Sequence, residues 1–215
     1  MISFSFIIVV LLSILFFYFG TGKDKRATFL FLAWQTIIGV AVLKGIFRQS
    51  PEFFPVAIIG TMILSILWLK HVDRQKMDLR MLLAVHILRI PVELILYQLF
   101  LQHKIPEQMT FKGWNPDILM GISALFLLLY TAFGRGQLNK IFFIAWNVAG
   151  IFALAFIVSI AILSSPLPIQ QFAFEQPNIA VLQIPYCFLP TCIVPVVLMS
   201  HILLMTKQPS RQRFR

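Results

Sequence analysis

Charged residues are scarce in this sequence, at 12% of 215 residues, against about 25% in a typical soluble domain. Negative charge is the scarcest, with 8 Asp and Glu against 18 Lys and Arg. Hydrophobic residues make up 59% of the chain and occur in long unbroken runs. Such runs exclude a soluble globular domain and indicate membrane-spanning helices, which need about 20 apolar residues each.

Motifs that would name a reaction are also missing. The sequence contains no phosphate-binding loop, no nucleophile elbow and no HExxH motif. Its two cysteines, Cys187 and Cys192, would lie about 140° apart on a helix, so they cannot easily pair. Their spacing is not typical of zinc or redox sites, and we interpret them as small buried apolar residues. The sequence identifies no cofactor.

The apolar runs predict a single all-α domain over residues 1–215, a polytopic membrane bundle of seven helices. The net charge of +10 does not indicate nucleic-acid binding, because the basic residues lie between the apolar runs, where they contact lipid headgroups. The lipid bilayer is therefore the expected partner. The predicted spans are 2–19, 27–47, 54–69, 79–101, 116–133, 141–163 and 184–205.

Lys and Arg are concentrated in alternate connections of this bundle. By the positive-inside rule, the N-terminus is predicted outside and the C-terminus in the cytoplasm, which requires an odd number of spans. Five or six spans with a re-entrant segment are the alternative. The cytoplasmic set is Lys23, Lys25, Arg26, Lys70, Arg74, Lys76, Arg80, Arg135, Lys140, Lys207, Arg211, Arg213 and Arg215, and the opposite set is Arg48, Lys104 and Lys112.

The compartment follows from two absences. No basic residue precedes the first apolar run, so a cleaved signal peptide is not expected. The sequence contains no Asn-x-Ser/Thr glycosylation sequon. Together with the orientation, these features favour a multi-pass protein of a bacterial inner membrane.

The outer connections contain two further predicted features. Asn115, Pro116 and Asp117 form a strong helix start, with Asn as the cap, which requires no functional role for Asp117. The longest connection, 164–183, is apolar with a single charge, Glu175, so we expect it to cover the mouth of the bundle. Aromatic and amide residues in 111–117 and 174–178 suggest that these stretches pack together above the bundle.

The fourth predicted span contains a cluster of polar residues. At about 100° per residue, His86, Arg89, Glu93 and Tyr97 lie within a stripe of about 80° on one helix face. Pro91 removes a backbone donor between the two charges, which predicts a kink there. Charges at this depth cost roughly 2.5–3.5 kcal/mol each and usually face the bundle interior.

This cluster has two interpretations. In the first it is a binding or transport site, in which Arg89 binds an anionic group and Glu93 accepts a proton or binds a cation. In the second, Arg89 and Glu93 form a structural ion pair, since they are four residues apart. Gln35 and Asn147 on other helices are further candidates for lining the site, although hydrogen bonding between helices also accounts for them.

Metal and cofactor binding depends on two histidines. His86 and His201 are predicted at similar depth, where they could bind a metal or haem, but two residues make a weak set of ligands. The last span contains no lysine for a retinal Schiff base, so seven helices do not indicate a rhodopsin. Gly39, Gly60, Gly121 and Gly150 are expected where helices pack closely.

Three functions remain open from the sequence. The first is a small-solute or ion transporter, or a related ligand-binding bundle, centred on Arg89 and Glu93. The second is a non-catalytic membrane subunit, chaperone or sensor that contacts a partner subunit. The third is a membrane enzyme or haem protein that uses His86, Glu93 and His201. The first is preferred, and an enzymatic role is the less expected.

Overall fold

A computed structural model describes residues 1–133 and 138–206 of the chain. These residues are all-helical, with 74% in helix and no strands, which confirms the prediction of an all-α protein. Five helical segments are long and apolar enough to cross a membrane, namely Ile2–Gly20, Lys25–Leu43, Phe53–His71, Lys140–Leu163 and Leu189–Thr206. The α-helices are α1 Ile2–Gly20, α2 Lys25–Leu43, α3 Ile46–Gln49, α4 Phe53–His71, α5 Leu79–Ile87, α6 Arg89–Leu101, α7 Asp117–Phe133, α8 Lys140–Leu163 and α9 Val194–Thr206.

Polar side chains begin several of these helices. Asp24 accepts a hydrogen bond from the backbone of Ala27 at α2, and Asp78 caps α5 in the same way. Asn139 accepts from two backbone N–H groups at the start of α8. Each cap satisfies donors that the first helical turn leaves free.

Two boundaries differ from the sequence prediction by four or five residues. α2 ends at Leu43 instead of residue 47, because Gly45 adopts a left-handed conformation with φ 73°. The last span begins at Leu189 instead of 184, since Pro185 disfavours helical geometry at the residue before it. Its first turn, Leu189–Ile193, is π-helical and leads directly into α9.

The predicted fourth span is divided at Leu88 into α5 and α6. Leu88 donates its backbone N–H to Val85, a tight turn, and helical bonding resumes from Val92 to Leu88. Pro91 has no N–H to donate, so the carbonyl of Ile87 has no helical donor there. Arg89 begins α6 directly after this interruption, about 15 Å along the helix axis from Leu79.

The connections gather at two ends of the bundle. At the first end, Asp78 donates its backbone N–H to Gly20, which joins the connections 21–24 and 72–78. At the second end, Ile179 and Ala180 donate to the carbonyl of Lys104, and Ser3 hydrogen-bonds Tyr186. The basic residues Arg135, Lys207, Arg211, Arg213 and Arg215 lie outside the described residues.

α9 lies at the centre of the bundle. Of the 18 residues of Leu189–Thr206, 61% are buried inside the protein, against 22–33% of the most apolar 18 residues in each of the other four candidate spans. α9 packs against α1, α4, α5 and α8. The outer helices instead expose large apolar side chains, as a surface in contact with lipid tails requires. Polar residues on α9 are therefore placed where several helices can contact them.

Candidate functional site

Arg89 is the centre of a buried polar network. Its side chain is 3% exposed, and one guanidinium nitrogen, Nη2, forms an ion pair with the carboxylate of Asp117 at the start of α7. The other terminal nitrogen, Nη1, lies 3.1 Å from Nε2 of His201 on α9. Among the described residues, Asp117, and not Glu93, is the carboxylate paired with Arg89.

The geometry determines the tautomer of His201. An arginine can only donate, so Nε2 of His201 accepts from Arg89. Nδ1 lies 2.9 Å from the side-chain oxygen of Asn147, whose amide nitrogen donates to the carbonyl of Phe143. His201 is therefore neutral, with its proton on Nδ1, and donates to α8 while accepting from α6.

Close helix packing accompanies this network. A Cβ atom at Gly150 on α8 would overlap the His201 ring, and its distance to Cε of Met120 would be 2.9 Å. A Cβ atom at Gly121 on α7 would lie 2.8 Å from Ile90. Both glycines were predicted at close-packing points. Gly121 lets α7 approach α6, where Asp117 reaches Arg89, and Gly150 lets α8 approach α9, where Asn147 reaches His201.

His86 lies behind the network on α5 and is fully buried. Its ring centroid is 3.9 Å from that of His201, and the ring of Trp146 meets it edge to face. Neither ring nitrogen of His86 has a hydrogen-bond partner in the described part of the chain. Both ring nitrogens of His201 already form hydrogen bonds, with Arg89 and Asn147, so the two histidines do not present a pair of free nitrogens to one ion. The described ranges also contain no group of three potential metal ligands.

Glu93 lies one helical turn beyond Arg89 and is 1% exposed. Its Oε1 accepts a hydrogen bond of 2.6 Å from the amide of Asn115. That amide also donates to the carbonyl of Met109, and the side-chain oxygen of Asn115 caps the N–H of Asp117. Oε2 of Glu93 is buried and has no partner within residues 1–133 and 138–206. The carboxyl group is thus half satisfied by the protein.

A cavity of 330 Å³ adjoins this side of the network. α4 and α8 form its side walls, α6 and α9 its inner wall, and the connection 164–183 closes one end. Most of its lining is apolar. The charged and amide residues on its wall are Arg89, Glu93, Asn115, Asp117 and Asn178.

The connection 164–183 covers the mouth of the bundle, as the sequence suggested. The amide of Gln176 donates to the carbonyls of Phe100 and Ile105, over 3.1 and 2.5 Å. Phe172 meets Trp114 edge to face, so the contact with 111–117 forms through Phe172, while Phe174 is 70% exposed. These contacts fix the segment that carries Asn178 into the cavity wall.

Two candidates from the sequence lie elsewhere. Gln35 exchanges two hydrogen bonds with Thr191 between α2 and the π-helical turn, away from the Arg89 network. Tyr97 packs against Phe111, and the amine of Lys112 lies 4.8 Å from its ring centroid. Neither residue lines the cavity. Asn147 joins the network through His201, so it positions a neighbour and does not line the cavity.

Sequence reasoning missed the roles of Asp117, Asn115 and Asn178. A helix start already accounted for Asp117 and Asn115, so their contacts with Arg89 and Glu93 were not predicted. A signal was available, since an Asp directly before an apolar run can enter a membrane bundle with a buried Arg. Asn178 has no comparable signal, because its place in the cavity depends on how 164–183 folds back.

Comparison with known proteins bears on the whole of this site. Residues 47–207 match the family described as Domain of unknown function (DUF8737). No curated protein and no solved structure matches the chain. The matched range covers most of the sequence and includes every residue that lines the cavity, from Pro51 to Val197. The chain therefore belongs to the DUF8737 family.

Proposed function

We propose that this protein is a seven-span membrane bundle that binds a small molecule in the cavity beside Glu93. Five segments are long and apolar enough to span. α5 and α6 together cover residues 79–101, about 33 Å of helix, and the 17 residues of α7 reach the lower limit for a span. The N-terminus is outside, because the connections 21–24 and 72–78 share one end of the bundle. Residues 21–26 and 70–80 there contain seven Lys and Arg, against four in the connections 44–52 and 102–116 at the other end.

The observation that carries the ligand proposal is the half-satisfied carboxyl of Glu93. A buried polar atom without a partner is costly, and in a bilayer the cost is several kcal/mol. Oε2 of Glu93 is such an atom among the described residues, and its side chain lines the cavity. Arg89, by contrast, is neutralised by Asp117. Glu93 is therefore the residue that a ligand contacts, and the Arg89 network positions it.

The volume of the cavity agrees with this function. At 330 Å³ it lies at the lower end of small-molecule pockets, which range over about 300–1,000 Å³. Its composition is also typical of such pockets, with aliphatic walls and a few convergent polar groups. In a transporter of this design, Glu93 would change protonation as its ligand binds and leaves.

Native mass spectrometry of protein extracted directly from its membrane tests binding. We expect one retained small molecule per chain. Ala161→Phe, which fills the cavity from α8, should abolish it, while Ala155→Phe on the exposed face of the same helix should not. Bare wild-type protein, or equal retention by both variants, would overturn the proposal. Uptake into proteoliposomes by wild type and Glu93→Gln then separates transport from binding.

A further inference from the structure

The rim of the cavity is apolar. Four lining residues are exposed at the protein surface: Ile59 on α4, Ile162 on α8, and Pro166 and Ile169 in the connection beyond α8. Ile59 and Ile162 are 59% and 38% exposed, and both belong to helices long and apolar enough to span the membrane. An opening with such a rim faces lipid tails, so a ligand reaches it from the bilayer.

The extent of the side walls limits the length of the ligand. The α4 wall runs from Phe54 to Met62 and the α8 wall from Leu154 to Ile162. Each corresponds to about 12 Å of helix, less than half of a hydrocarbon core about 30 Å thick. The cavity therefore fits within one leaflet, and its volume of 330 Å³ suits a single chain with a small head group.

The polar wall specifies the head group. Among the described side chains that line the cavity, two buried acceptor atoms have no partner, Oε2 of Glu93 and Oδ1 of Asn178, and one buried donor, Nε of Arg89, has none either. A hydroxyl group can donate to a carboxylate or amide oxygen and also accept from a guanidinium. A carboxylate head would meet the carboxyl groups of Glu93 and Asp117, and an ammonium cannot accept from Arg89.

We infer that the ligand is a single-chain alcohol from the bilayer, which enters between α4 and α8 with its hydroxyl toward Glu93 and Arg89. This inference rests on the proposed function and specifies its ligand. The chain lies along the aliphatic side walls, where Leu154, Ile157 and Val158 line the cavity from α8. The head group lies where the protein leaves polar atoms unsatisfied.

Photo-crosslinking in nanodiscs tests the ligand class. Three probes of equal chain length carry one diazirine near the chain end: a derivative of dodecanol, of dodecylamine and of dodecanoate. We expect the alcohol to label the α4 and α8 walls about tenfold more than either charged probe, because only the hydroxyl satisfies both kinds of wall atom. Glu93→Gln should reduce this preference, and Ala161→Phe should abolish labelling, with Ala155→Phe as the matched control.

The outcomes separate this inference from the proposed function. Labelling that depends on Ala161 but is equal for all three probes overturns the alcohol and leaves a ligand-binding bundle. Absence of cavity labelling in a protein that retains another small molecule in mass spectrometry has the same meaning. Absence of both labelling and a retained molecule overturns the inference and the proposed function together.

A second experiment tests the entry route. Ile59→Cys and Ile162→Cys place thiols on the two sides of the opening, and a bifunctional maleimide can join them. The native Cys187 and Cys192 are buried and leave these two thiols as the accessible pair among the described residues. We expect the bridged double variant to lose alcohol labelling while each single variant retains it. Equal labelling of bridged and unbridged protein would overturn entry between α4 and α8.

Discussion

The two sides of Arg89 treat polar groups differently. On one side, the charge of Arg89 is paired with Asp117, its second terminal nitrogen bonds to His201, and His201 bonds to Asn147, so that α6, α7, α8 and α9 are linked, while Nε of Arg89 has no partner among the described residues. On the other, Glu93 has one paired and one unpaired oxygen beside a cavity, counted over the described residues. We call these the closed side and the open side. Burial alone does not separate a structural charge from a functional one, because Arg89 and Glu93 are almost equally buried. What separates them is the counter-charge: Arg89 is paired with Asp117, and Glu93 has no such pair among the described residues.

Breaking the ion pair should have the largest effect. Asp117→Asn leaves Arg89 buried without its counter-charge, and we expect a loss of about 3–5 kcal/mol in the free energy of unfolding. Titration with SDS in mixed micelles measures it. The control is Asp73→Asn, since Asp73 pairs with Lys76 at 3.3 Å with side chains 48% and 71% exposed. Such exposed pairs contribute little to stability. Equal losses for Asp117→Asn and Asp73→Asn would show that the buried pair of Arg89 and Asp117 contributes no more to stability than an exposed pair.

Substitution of His86 and of His201, whose rings are in contact, should change stability by different amounts. His201→Phe removes the acceptor for Arg89 and the donor for Asn147, so we expect a loss of about 1–3 kcal/mol by the same titration. His86→Phe retains a ring in contact with His201, and the two nitrogens that it removes have no partner within the described residues. It should be neutral or stabilising. A larger loss for His86→Phe would move His86 into the network.

Close packing on the closed side can be tested with one methyl group. In Gly150→Ala the added Cβ meets the His201 ring, and overpacking of this kind costs about 1–3 kcal/mol. Gly39→Ala is the matched control in α2, where the nearest atom, Cζ of Phe188, is 3.3 Å away. Both variants gain the same helix propensity, so the difference in thermal midpoint reports the contact. An equal midpoint for both variants would contradict the tight approach of α8 to α9.

The smallest change in stability is expected at Glu93. Glu93→Gln preserves the oxygen that accepts from Asn115 and replaces the unpaired Oε2 by an uncharged NH2 group, so the free energy of unfolding should change by less than about 1 kcal/mol. The same variant should retain less ligand than the wild type, as measured by native mass spectrometry. A loss of stability as large as that of Asp117→Asn would place Glu93 on the closed side and remove the distinction between the two.

The stripe on the fourth predicted span illustrates what a sequence pattern can predict. Helical periodicity is local, so the shared face of His86, Arg89 and Glu93 could be predicted, and all three are buried. Tyr97 lies on the same stripe by angle but packs against Phe111 near the end of α6, because the connection 102–116 folds over that turn. Periodicity predicts on which face of a helix a side chain lies. It does not predict which other element packs against that face.

The partner of Arg89 illustrates the limit. A spacing of four residues made Glu93 an equally good candidate, and Asp117 had already been explained as part of a helix start. The ion pair with Asp117 requires α7 to pack beside the interruption at Leu88, where Gly121 allows a close approach to Ile90. Such a contact depends on two helices that are distant in sequence, and no local pattern specifies it.

The sequence by itself determined that this chain is all-helical, with several helices apolar enough to cross a membrane and a polar stripe on one helix face, because hydropathy and helical period are properties of neighbouring residues. Only the tertiary structure decided which charge is neutralised and which keeps an unpaired oxygen beside a cavity. Arg89 obtains its counter-charge from α7 and its acceptor from α9, whereas Glu93 lines the cavity between α4 and α8. These assignments arise from how the helices pack, and packing depends on contacts between residues far apart in the chain.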